Sequence, residues 1–146
     1  MNDDGKREIV GEVLHAFNRH DLDAIMSHFA EDCVFESPRG PDAWGRRFVG
    51  KEEVRRGLAA RFEGIPDVNY GDDEHFVSGN RGASEWTISG TTTEGERIEV
   101  RGCHLWTFDE DGKLTRKDSF WKIREPWPDV DPLTREAGRR GPVRGA

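Results

Sequence analysis

This 146-residue sequence has only two cysteines, one tyrosine and no long apolar run, and each shortage removes a class of protein. Cys33 and Cys103 stand far apart, without Cys or His neighbours at metal-ligand spacing. Neither a disulfide framework nor a zinc site is signalled, and both read as free, packed thiols. No stretch has the length of a signal peptide's apolar region or of a membrane span, and the first residues, MNDDGKRE, are charged throughout, so a cytoplasmic protein without membrane contact is expected. Clustered positive charge is missing too. The formal net charge is -7, with Arg and Lys interspersed among acids, which argues against a nucleic-acid partner or an anionic membrane surface. No internal repeat is present.

What remains is enough for one domain with a single core. Hydrophobic residues make up 34% and charged residues 35%, and the aromatics supply much of the packing area. From Lys6 to about His20, Ile9, Val10, Val13, Leu14 and Phe17 recur at helical spacing behind Asp3 and Asp4. A second helix begins at Asp21 and carries Leu22, Ile25, Met26 and Phe29 up to Ala30. Cys33 to Ser37 reads as a short strand ended by Pro38, and Arg39 to Arg47 as an irregular loop carrying Trp44. A third helix, Lys51 to about Glu63, has Val54, Leu58, Ala59 and Phe62 on one side and is stopped by Gly64 and Pro66.

Beyond Pro66 the pattern changes to strands: Val68 to Val77, Ala83 to Thr92, Ile98 to Phe108 and Leu114 to Arg124, joined by Gly-rich turns. Short connections make these strands antiparallel neighbours, so a segregated α+β fold is expected, with a curved sheet wrapped on three helices. The domain spans residues 1–124, and the Pro-, Gly- and Arg-rich segment 125–146 reads as a tail, with Trp127 a candidate anchor.

The last hairpin carries the chemistry. If Phe108 pairs with Leu114, an unbroken register sets His104 directly across from Asp118 on one face, together with Val100, Gly102, Trp106 and Phe120. Glu99, Arg101, Leu105 and Lys117 then occupy the other, convex face. An imidazole and a carboxylate in a greasy wall are either an acid/base pair or a buried structural hydrogen bond. Burial raises the pKa of such a carboxylate and a neighbouring imidazolium lowers it, so the two titrate as a coupled pair.

Three segments, FNRHDLDAIMSHFAEDCVFESP at Phe17 to Pro38, FVGKEEVRRGLAARF at Phe48 to Phe62 and GCHLWTFDEDGKLTRKDSFWK at Gly102 to Lys122, resemble the nuclear transport factor 2 superfamily. Within it they look most like the SnoaL-like polyketide cyclases. The resemblance covers about Lys6 to Arg124. It implies a cone-shaped fold enclosing a pocket, a homodimer through the convex sheet face, no cofactor, and a strand aspartate acting as acid/base with a histidine on the preceding strand. Asp118 and His104 match those roles. Phe17, Phe35, Trp44, Phe48, Phe62, Trp86, Trp106 and Phe120 are the candidate wall around a small hydrophobic, carbonyl-bearing ligand, with Trp44 and Phe48 a candidate lid.

Fold alone does not fix the reaction. A related isomerase, dehydratase or epoxide hydrolase uses the same superfamily fold, and Arg116 shares a face with Asp118, as an acid–arginine–acid water-activating site requires. A non-catalytic binding or dimerisation module is the reading from another class. It predicts an interior filled by the protein's own aromatic side chains.

Overall fold

In the computed structural model, which describes residues 1–124, six strands form one sheet against whose inner face three helices pack. Helix α1, Asp3–Asn18, starts where the Asn2 side chain accepts from the Gly5 amide at 2.8 Å, and it buries Val10, Val13, Leu14 and Phe17. At the joint His20 takes a left-handed φ of 57°, and α2, Leu22–Met26, is capped by the Asp21 carboxylate on the Ala24 amide. The second helix is shorter than its apolar spacing suggests, because Phe29 already belongs to strand β1, Phe29–Asp42.

Strand β1 runs through Pro38 rather than ending there. The expected loop 39–47 is instead the end of β1, a turn at Ala43-Trp44 and strand β2, Gly45–Val49. Pro38 is tolerated because pairing to β2 is irregular between Ser37 and Asp42, so no ladder amide is required of it there. Helix α3, Lys51–Gly64, follows and is laid against β1 and β2.

Strands β3 (Asn69–Ser78), β4 (Arg81–Thr91), β5 (Arg97–Phe108) and β6 (Leu114–Trp121) form the expected antiparallel meander. The sheet order is β2-β1-β6-β5-β4-β3, with β1 and β6 parallel and every other neighbour antiparallel. The core lies between helices and sheet, where Phe17, Phe29, Leu58, Trp86, Ile88 and Trp106 are all essentially removed from water. At about 1.5–3 kcal/mol for each such side chain, this layer is the main force curving the sheet onto the helices. The proposed tail and Trp127 lie outside the described residues.

Candidate functional site

One inserted residue decides which side chains of β6 face the core. Phe108 pairs with Leu114 as expected, but Thr107 pairs with Arg116, leaving Thr115 unopposed in a β-bulge. A one-residue slip moves every later side chain to the other face. His104 therefore stands across from Ser119, and Asp118 across from Leu105. The expected His104–Asp118 pair is not formed.

The inner face of β6 presents Lys117 and Ser119, both buried, and the outer face presents Arg116, Asp118 and Phe120. Lys117, expected on the convex face, is 2% exposed, and Phe120, expected in the wall, is 49% exposed. Trp44 is also outside the interior: it sits at the tip of the β1–β2 turn, with the Arg47 guanidinium 4.4 Å from its ring centroid. Phe48 packs on Phe35, ring centroids 5.5 Å apart, and covers Gly57 of α3 so closely that a Cβ there would meet its ring at 2.9 Å. Phe17, Phe35, Phe62, Trp86 and Trp106 belong to the core or pack against it.

His104 lies at the centre of this interior. Its ring is 4.7 Å from that of Trp86, 5.1 Å from Trp106, 5.6 Å from Tyr70 and 6.4 Å from Phe17. On its strand Gly102 is obligatory, since a Cβ there would lie 2.5 Å from the Trp86 ring. His104 Nδ1 is 2.9 Å from Ser119 Oγ, which accepts from Lys117 Nζ at 2.8 Å. With the lysine donating, the serine proton is left for Nδ1, so the ring proton sits on Nε2. Among the described residues that Nε2 has no partner, and neither has Trp86 Nε1.

Burial holds His104 well below the ordinary imidazole range, with the Lys117 charge adding to the effect. Burial likewise depresses Lys117 far below a normal lysine, and Arg61 depresses it further. Lys117 Nζ lies 4.3 Å from the Phe35 ring centroid and 5.3 Å from that of Phe17, and among the described residues it forms no ion pair. Chemically this is a buried aromatic interior with three sets of N–H donors, one of them an amine whose proton affinity burial holds well below that of a normal lysine.

The outer face is organised by charge. Glu36 is 1% exposed and takes both Arg47, at 2.7 and 2.9 Å, and Arg116, which reaches across to Asp118 at 3.3 Å. Burial and then the Glu36 charge raise Asp118 above a normal carboxylate, against the pull of Arg116. An acid–arginine–acid set thus exists, on the sheet face away from His104 and Lys117.

A third group has the order of a catalytic triad without its chemistry. His75 bridges Asp73, at 2.8 Å from Nε2, and Ser84, at 2.7 Å from Nδ1. Ser84 is fully buried and accepts from Trp106 Nε1 at 2.8 Å, so its hydroxyl ties β3 to β5 and presents no accessible nucleophile. Among the described residues no group of three His, Cys, Asp or Glu is placed to hold a metal ion.

Sequence reading missed Lys117, Ser119 and Tyr70 as buried neighbours of His104. Thr115 to Ser119 is a polar run with no apolar alternation, so nothing in it betrays the bulge. The profile of the SnoaL-like domain matches residues 10–117. The chain belongs to the SnoaL-like domain family. No curated protein matches it. Among solved structures it is similar to a protein provisionally described as a polyketide cyclase from Xanthomonas campestris pv. campestris, 20% identical over 84% of this chain and 93% of that one, TM-score 0.74. It is also similar to a provisionally described isomerase from Bacillus subtilis (19%, covering 84% and 90%, TM-score 0.70). A provisionally described hydroxylase from Streptomyces galilaeus is alike to the same degree (19%, covering 95% and 92%, TM-score 0.70). At such identities the likeness is one of fold.

Proposed function

We propose that the protein is a cofactor-free acid/base enzyme of the SnoaL-like polyketide cyclase type, acting on a small hydrophobic, carbonyl-bearing molecule in the chamber between helices and sheet. The observation that carries this reading is the fully buried, neutral His104, its Nε2–H unpartnered beside an equally unpartnered Trp86 Nε1–H. Two buried N–H donors without acceptors are costly to leave unmade and suit the oxygen of an enolising carbonyl, where charge develops. Lys117, whose pKa burial lowers well below that of a normal lysine, supplies the base that removes a proton from the carbon beside that carbonyl. Ser119 positions both groups. The base role expected of Asp118 is reassigned because its carboxyl is on the other face.

A second reading has its own support. Phe17, Tyr70, Trp86 and Trp106 fill the interior around His104, as a binding or dimerisation module requires. Turnover of aromatic polyketide esters, ketosteroids and terpene epoxides by the natural protein, His104→Gln and Asp118→Asn separates the readings. The enzyme reading expects a compound that the natural protein and Asp118→Asn both convert and that His104→Gln converts ~10²-fold or more slowly. No conversion of any compound that binds supports the module.

A further inference from the structure

We propose that the groove between β2 and α3 is a second binding site, separate from the interior around His104, and that it takes the phosphate group of a small phosphomonoester. The groove has a volume of about 480 Å³ and is lined by Arg46, Arg47 and Phe48 of β2 and by Glu53, Arg56, Gly57 and Ala60 of α3. The four helix residues follow one another at i, i+3, i+4 and i+7 and so share one flank, with the charged pair at one end and the small pair at the other. The space has a local cause. Gly57 brings the helix down onto the Phe48 ring, where a Cβ would meet ring carbons at 2.9 Å, and Ala60, three residues on, is too short to close the gap beside it. Ligand sites usually measure about 300–1,000 Å³, so a phosphate alone leaves the Gly57 and Ala60 end for an organic part.

Charge sets the ligand class. The neighbouring cations already have partners: Arg55 holds Asp23, Lys51 lies 3.9 Å from Glu31, and the Arg47 guanidinium takes Glu36 and covers the Trp44 ring. Arg46 and Arg56 do not, and among the described residues neither forms an ion pair. Arg46 instead lies over the Phe48 ring, its guanidinium carbon 5.2 Å from the centroid, a contact that steadies the cation without neutralising it. The one acid lining the groove, Glu53, is turned to the backbone, where it accepts from the Val49 amide at 3.2 Å.

Two guanidinium groups, one from the strand and one from the helix, thus border a single space. A carboxylate holds its two oxygens in one plane and suits one guanidinium fork, whereas the oxygens of a phosphate diverge tetrahedrally and accept from two forks on different sides. The attraction belongs to the groove and not to the molecule, because the chain as a whole carries a net charge of -7 and repels anions elsewhere.

The probes are phenyl phosphate, inorganic phosphate and benzoate, titrated calorimetrically into the full chain at about pH 8, where the phosphomonoester is a dianion, and at about 0.15 M ionic strength, where diffuse attraction is screened. Phenyl phosphate is expected to bind ~10-fold or more tightly than either of the others, since benzoate lacks the tetrahedral dianion and inorganic phosphate lacks the part that lies along Gly57 and Ala60. Arg46→Gln and Arg56→Gln each weaken phenyl phosphate ~10-fold, the loss of one charge-assisted contact. Arg55→Gln removes the same charge one residue away, from a guanidinium already paired with Asp23, and leaves the affinity unchanged. Ala60→Glu, at an exposed helix position, fills the groove, reverses its sign and abolishes binding, while thermal unfolding stays as cooperative as in the natural protein. Absence of phenyl phosphate binding, equal affinity for the three probes, inorganic phosphate binding as tightly as the ester, or equal losses in Arg55→Gln and Arg56→Gln overturns the proposal.

Discussion

The two faces of β6 treat charge in opposite ways. Lys117 and Ser119 are buried in the aromatic interior, and Arg116 and Asp118, one residue away from Lys117 on either side, sit in a charge network with Glu36 and Arg47 that reaches solvent. Inside, burial holds the pKa of a lysine well below its ordinary value, because among the described residues no paired counter-ion offsets desolvation. Outside, the buried Glu36 is held by two arginines that are each more than two-fifths exposed, so desolvation is shared with water. The difference teaches that the chemistry of this strand is assigned by its register rather than by its composition, and that register hangs on Thr115.

Inserting one alanine after Thr115 is the severest way to break the comparison. With the bulge kept, the insertion sets Lys117 across from Leu105 and Asp118 across from His104, turning Asp118 inward and Lys117 outward, and places Arg116 and Asp118 against Trp106 and Phe17. Uncompensated buried charge costs ~3–5 kcal/mol, so urea denaturation is expected to show loss of the cooperative fold or a destabilisation of about that size. An insertion variant as stable as the natural protein contradicts the account of the bulge.

Lys117→Met tests the inner face alone. Replacing a buried amine without a counter-ion by an apolar chain of similar length is expected to stabilise the protein by ~1–4 kcal/mol in the same assay. A destabilisation of that size means that the lysine is structurally paired.

The pH dependence sharpens the same point. His104 binds its proton less readily folded than unfolded, so below about pH 6.5 the unfolded chain takes up a proton that the folded chain refuses. Its share of stability is complete above the unfolded pKa and is lost as pH falls from there, with a limiting slope of about 1.4 kcal/mol per pH unit. His104→Gln is expected to remove that slope between pH 5 and 7, measured by denaturant midpoints. An unchanged slope means that the imidazole is not held neutral by burial. The smallest effect is expected on the outer face: Asp118→Asn leaves Glu36 paired to both arginines and should change stability by no more than ~0.5–1 kcal/mol.

Much of the fold was legible because its signals are redundant. The α1 stripe of Val10, Val13, Leu14 and Phe17, the Gly- and Pro-marked end of α3 and the Gly-containing turns between strands each agree with the elements observed. The β1–β2 hairpin was not legible, since Pro38, Gly40 and Pro41 spell a loop, and only the irregular pairing past Ser37 lets a strand pass through them. His104 was found because Val100, Gly102 and Trp106 fix its face by alternation. Its partner was misjudged because Thr115, Arg116, Lys117, Asp118 and Ser119 are all polar, and an extra residue among them leaves no mark on a hydrophobic pattern. Bulges are local backbone choices made by packing on both sides, here by Trp106 and Leu114, and single-sequence reasoning counts through them.

Thiol accessibility reads the register most directly. In a Cys103→Ser background, where the one native cysteine left, Cys33, is buried, Lys117→Cys and Asp118→Cys are each treated with a thiol-reactive chromogen in native buffer. The bulged register predicts that the thiol at position 118 is labelled promptly and that the thiol at 117 reacts ~100-fold more slowly, only through opening of the structure. Prompt labelling at 117 with protection at 118 would mean that β6 presents Asp118 to the chamber, and the assignment of the interior to Lys117, Ser119 and His104 would be wrong.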